Sequence, residues 1–116
     1  MAIEYLTVNE SHIQKLNART LVRIAEAYKR LENREKTAEY YEKALAIFTD
    51  LNEVKSMART LNTLAEAQRY LGNLVLALDY ALRSLALHGQ IDDAKGRAKA
   101  LTGAGIIYRH IGRYEQ

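Results

Sequence analysis

The chain has 116 residues, seventeen Lys and Arg against fourteen Asp and Glu for a net charge of +3, and neither cysteine nor proline. The lack of cysteine excludes disulfides, thiolate chemistry and Cys-based metal sites. No apolar run reaches the roughly 18 residues that a membrane-spanning helix needs. Proline breaks helix interiors, so its absence favours long helices, as does an apolar content of 48% dominated by Ala and Leu. Met1 to Asn9 lacks the basic flank and apolar stretch of a signal peptide, and the expected location is the cytoplasm.

In chain order, residues 2–17 read as a divergent helix packed ahead of a repeated region. From Ala18 an internal repeat runs at a spacing of 40. Ala18-Arg19-Thr20-Leu21 returns as Ala58-Arg59-Thr60-Leu61 and again as Ala98-Lys99-Ala100-Leu101. Ala25, Ala65 and Gly105 share a column, as do Tyr28, Gln68 and Tyr108, and Leu31, Leu71 and Ile111. The expected units are 18–57, 58–97 and 98–116, the third holding its first helix alone.

Each complete unit predicts two helices. In the second, Leu61, Leu64, Ala65, Gln68 and Leu71 fall at helical spacing. Gly72-Asn73 then interrupts, with Gly placed to end a helix. Leu74, Ala77, Leu78, Ala81, Leu82 and Leu85 begin a second stripe, and His88 to Asp93 reads as the turn into the next unit, with Asp92 or Asp93 as helix cap. The first unit repeats this, with Asn33-Arg34 as inner turn and Asp50-Leu51-Asn52 as outer turn. Gly112-Arg113-Tyr114 falls where the second helix of the third unit opens, which predicts a piece of a longer array.

These residues resemble the tetratricopeptide repeat. Leu61, Leu64-Ala65, Gln68, Gly72, Leu74, Ala77, Ala81 and Ser84 stand at its signature places, and Ala38-Glu39-Tyr40-Tyr41-Glu42-Lys43-Ala44-Leu45 is similar to its second helix. The resemblance covers about residues 18–116. The chain departs from it in three ways: the closing proline is missing, Thr37 stands where Ala is usual, and Ala81 stands where an aromatic is usual. The period of 40 instead of 34 resembles the extended subclass of kinesin light chains, Pins-type adaptors and peptide-responsive bacterial regulators. HEAT and armadillo repeats share periods near 40, and the Gly and Tyr columns weigh against them. The resemblance implies an all-α, right-handed superhelical array of antiparallel helix pairs, with first helices lining a concave face.

It also implies a function: a non-catalytic protein-interaction scaffold, in regulation or signalling. Family ligands meet first-helix positions that fall here on Arg19, Val22, Arg23, Glu26, Lys29 and Arg30, on Arg59, Asn62, Thr63, Glu66, Arg69 and Tyr70, and on Lys99, Thr102, Gly103, Ile106, Arg109 and His110. These positions hold eight basic residues and two acids, so the face is basic while the remainder is acidic on balance. Arg19/Arg59/Lys99 and Lys29/Arg69/Arg109 are basic throughout. A basic groove concentrates an acidic peptide or protein segment, guanidinium groups grip carboxylates with paired hydrogen bonds, and Asn62 both donates and accepts. The expected binding residues are therefore Arg19, Arg23, Lys29, Arg30, Arg59, Asn62, Arg69, Tyr70, Lys99 and Arg109.

An ordinary solvated face would also be charged, so an assembly spacer without groove ligand stays open. Behind it stands a nucleic-acid-binding helical repeat; the variable columns Val22/Asn62/Thr102 and Glu26/Glu66/Ile106 weigh against a base-reading code. Ala104, Ile107, Tyr108 and Ile111 on the last helix form the expected self-association surface. His12, His88 and His110 lie on different elements without metal-ligand spacing. Gly103-Ala104-Gly105 follows no strand and is no phosphate loop; close helix packing is the expected reason for Gly105. No cofactor, metal or catalytic group is expected.

Overall fold

The computed structural model describes the backbone of residues 2–115 and the side chains of residues 10–113. Five helices follow in order: α1 Ala2–Arg30, α2 Arg34–Asp50, α3 Val54–Tyr70, α4 Leu74–Gln90 and α5 Ala94–Glu115. Each packs on its chain neighbour, and α3 also meets α5, so the odd helices form one layer and the even helices the other. This is an all-α helical repeat solenoid.

All four reversals are alike. Residues 31–33, 51–53, 71–73 and 91–93 each link two helices, and the middle residue of each adopts a left-handed conformation: Glu32 (φ 59°), Asn52 (φ 53°), Gly72 (φ 86°) and Asp92 (φ 54°). The N–H of the third turn residue returns to a carbonyl of the preceding helix, as Asn33 to Tyr28 (3.0 Å) and Asn73 to Gln68 (2.9 Å). This bond satisfies carbonyls that a helix end otherwise leaves open. Glycine takes this conformation freely, and Asn and Asp tolerate it. Glu32 is the unfavourable member.

The helix caps differ from expectation in detail. Arg34 is already helical, and Asn33 caps α2 by accepting from the Lys36 N–H at 3.2 Å. α4 runs through His88 and Gly89 to Gln90, so the α4–α5 turn is shorter than the polar stretch suggested. Asp93, not Asp92, caps α5, accepting from the Gly96 N–H at 3.0 Å. α1 is one continuous helix, so residues 2–17 form no separate element.

Small residues bring the layers together. Ala18, Ala25, Ala44, Ala58, Ala77, Ala81 and Ser84 are fully buried, and the Ser84 hydroxyl donates to the Ala58 carbonyl across α3 and α4 at 2.8 Å. Leu61, Leu64 and Ile107 fill the centre. Burying one such side chain contributes roughly 1.5–3 kcal/mol.

Three expectations for α5 fail. The helix passes through Gly112 and Arg113 without a turn. Gly105 is exposed, and a Cβ there meets nothing within 4 Å, so helix packing does not account for it. Ala104 and Ile107 are buried in the core and Ile111 packs half-buried against it, so of the expected self-association residues only Tyr108 is exposed. The open side of α5 is instead formed by Leu101, Gly105 and Tyr108.

Candidate functional site

The groove lies on the first-helix layer, between α3 and α5, and is closed at one end by Ile91, Asp92 and Asp93 of the α4–α5 turn. Its volume is about 1300 Å³. Helical periodicity builds its walls. Lys55, Arg59, Asn62, Glu66 and Arg69 recur at alternating steps of four and three, which keeps them on one side of α3. Lys95, Lys99, Thr102 and Ile106 repeat that stripe on α5. Among the described residues of α1, only Lys29 reaches the groove.

The structure brings together five of the ten expected binding residues: Lys29, Arg59, Asn62, Arg69 and Lys99 line the groove. Arg19, Arg23, Arg30, Tyr70 and Arg109 do not. The first three are exposed on α1, and Arg109 is exposed beyond the α5 wall. Tyr70 sits outside the groove with two guanidinium groups against its ring, Arg34 at 4.2 Å and Arg69 at 4.5 Å from the centroid.

Lys55 and Lys95 are groove residues absent from the ten expected ones. They had a signal in the sequence: Lys15, Lys55 and Lys95 form a third basic column at the spacing of 40. Units opened at Ala18, Ala58 and Ala98 begin just past them. In all, six basic and three acidic residues line the groove. Lys29 is engaged by Glu66 at 3.8 Å. Lys15, the first member of the new column, is engaged by Glu53 at 3.1 Å. Among the described residues, Lys55, Arg59, Lys95 and Lys99 make no ion pair with any carboxylate. They form two i, i+4 pairs, one on each wall.

At the groove end, His88 Nδ1 lies 3.1 Å from Asp93 Oδ2. The Gly96 amide, first, and then the charge and hydrogen bond of His88 and the charge of Lys55 hold the Asp93 carboxyl below the usual carboxylate range. His88 is buried, and its Nε2 has no hydrogen-bond partner. The Thr63 and Thr102 hydroxyls are spent within their helices, on the Arg59 and Ala98 carbonyls. Among the described residues no group of three or more His, Asp or Glu is placed to hold a metal ion. No helix among them is long and apolar enough to cross a membrane.

Stacked helix pairs with a groove along one layer define an α-helical repeat protein. A family model described as tetratricopeptide repeat matches residues 16–90 and 56–116. The chain belongs to the tetratricopeptide repeat family, and with it to the protein–protein interaction scaffolds that such repeats build. No curated protein matches its sequence.

Proposed function

We propose that the α3–α5 groove is a non-catalytic binding site for an acidic peptide or protein segment. One observation carries this reading: Lys55 and Arg59 on one wall and Lys95 and Lys99 on the other are four cations that make no ion pair among the described residues, gathered in one concavity. Charge concentrated in a cleft attracts anionic partners and speeds their encounter. Asn62, on the same wall as Arg59, supplies a donor and an acceptor for a peptide backbone. In this reading the units are 18–57, 58–97 and the first helix of the next, 98–116, of the extended 40-residue kind. The chain serves as a regulatory or signalling part of a cytoplasmic assembly.

The test is fluorescence anisotropy with a labelled hexaglutamate peptide and a hexaglutamine control. The hexaglutamate binds and the control does not. Arg59→Glu with Lys99→Glu weakens it at least tenfold, whereas Arg23→Glu, outside the groove, leaves it unchanged. Binding that ignores the groove variants overturns the proposal. Tighter, sequence-independent binding of oligonucleotides with steep salt dependence replaces it with the nucleic-acid reading.

A further inference from the structure

The helices start and end in one register, which makes side chains of the wrong character visible. The second residue of α2, α3, α4 and α5 is Glu35, Lys55, Val75 and Lys95. All four are exposed, so the register turns this position to solvent each time. Val75 alone is apolar there, and it is 82% exposed. The last residue of α1, α2, α3 and α4 is Arg30, Asp50, Tyr70 and Gln90, again exposed in every case. Tyr70 alone is aromatic. The first turn residues are Leu31, Leu51, Leu71 and Ile91. Three are half-buried, whereas Leu31 is 74% exposed.

Leu31, Tyr70 and Val75 belong to one end of the solenoid. The α1–α2 and α3–α4 turns lie there beside the C-terminal end of α5, and Arg34 at the start of α2 reaches over the Tyr70 ring at 4.2 Å. Among the described residues, Leu31 and Val75 are the two most exposed large apolar side chains. A following unit does not cover such positions. Arg30 and Glu35, the counterparts of Tyr70 and Val75 one unit earlier, are exposed although α3 and α4 are stacked after them. One exposed apolar side chain is ordinary; three at one end, set among cations, form a surface.

The charge of that end is distinct. Residues 29–36, 69–76 and 109–115 hold seven Lys and Arg against three acids, Glu32, Glu35 and Glu115. The opposite end, residues 9–16, 49–56 and 89–96, holds three Lys against five acids. Lys29 and Lys36 are engaged by Glu66 and Glu39. Arg30, Arg34 and Arg69 make no ion pair among the described residues.

We infer that this end docks on an anionic lipid surface, lying on it without crossing it. Leu31 and Val75 enter the boundary between headgroups and acyl chains, and the Tyr70 ring with its polar tip suits the same depth. Arg30 and Arg34 meet lipid phosphates. Protruding turns reach a plane that a concave groove does not. Glu32 and Glu35 lessen the attraction, so binding depends on the apolar anchors together with the charge. A second copy presenting the same end meets like charge, which disfavours pairing. The site does not depend on a groove ligand.

Co-sedimentation with vesicles of equimolar phosphatidylcholine and phosphatidylglycerol tests this, against vesicles of phosphatidylcholine alone, with circular dichroism confirming that each variant is folded. The protein sediments with the anionic vesicles only. Leu31→Ser with Val75→Ser weakens binding at least tenfold, and so does Arg30→Glu with Arg34→Glu. Arg59→Glu with Lys99→Glu, in the groove, leaves it unchanged. Val75→Trp gives emission that moves to shorter wavelength on the anionic vesicles. Failure to bind these vesicles overturns the inference, as does an unshifted tryptophan. Binding undiminished by Leu31→Ser with Val75→Ser, or lost with the groove variants, overturns it by assigning the attraction to the basic groove. Self-association without lipid that Leu31→Ser with Val75→Ser abolishes overturns it too, and makes this end a contact between proteins.

Discussion

The His88 imidazole and the Asp93 carboxylate meet at 3.1 Å over the backbone of Gly96, where no side chain fits. A Cβ at residue 96 would collide with both partners. Gly96→Ala therefore displaces the pair and destabilises the α4–α5 junction, by about 1–3 kcal/mol in the manner of overpacked cores. Gly103→Ala, where a Cβ meets nothing within 4 Å, should instead raise stability by roughly 0.5–1 kcal/mol through helix propensity. Urea unfolding of the two variants should give midpoint shifts of opposite sign.

Asp93 gives the junction an acid limit. Its folded pKa lies below the ordinary value because the Gly96 amide, His88 and Lys55 favour the charged form. A depressed carboxylate contributes stability that is present above the unfolded value of about 4 and is lost as pH falls through the folded value. Unfolding midpoints measured from about pH 6 down to about pH 2.5 should fall below about pH 4, and Asp93→Asn should flatten that part of the curve. An unchanged slope in the variant would assign the acid limit to other carboxylates.

Tyr41 sets a matching alkaline limit. Burial, followed by the charges of Glu26 and Glu66, pushes its phenol up to about 12. The unfolded chain ionises its tyrosines near about pH 10. A raised folded pKa means that the stability is fully present below about pH 10 and is lost as pH rises toward about 12. Tyr41→Phe should remove this loss, detected by thermal unfolding at about pH 9, 10 and 11. Tyr80 is also raised, by burial and by Glu42, to which its hydroxyl donates at 3.2 Å; Tyr80→Phe is the comparison that shows how the loss divides.

Glu32 holds a left-handed conformation that Gly72 occupies in the equivalent turn. The conformation costs a side-chain-bearing residue roughly 1–2 kcal/mol. Glu32→Gly should recover about 1 kcal/mol of it, partly offset by the greater freedom of glycine in the unfolded chain. Gly72→Ala should lose a similar amount. Chemical denaturation of both variants checks the pair.

The spacing of 40 made the helices, their order and most turn positions legible, because each column returns the same local requirement. Ala18 and Ala58 are buried as their repetition implies. What was not legible depends on neighbours, which no column records. Gly105 shares a column with two buried alanines and is exposed, since a small residue permits close packing without supplying the neighbour that buries it. Gly72 follows the end of α3, whereas α5 runs on through Gly112, so a shared glycine column does not by itself fix a helix end. The groove was half legible for a related reason. Positions carried over from the family identified Arg59, Asn62, Arg69 and Lys99, but among the described residues of α1 only Lys29 contributes, because the concavity lies between α3 and α5.

The Lys15–Glu53 ion pair matters for a ligand in that groove. A strictly periodic row of cations is a ladder, and an evenly charged segment could settle on it one step to either side with little change in energy. Glu53 occupies one end of the row, in a turn whose counterpart, Asp93, is turned toward His88 and the Gly96 amide. The row of cations is thereby less regular than the backbone that carries it. In the proposed reading this leaves the acidic segment the stretch of the row between α3 and α5, where Lys55 and Lys95 make no ion pair among the described residues.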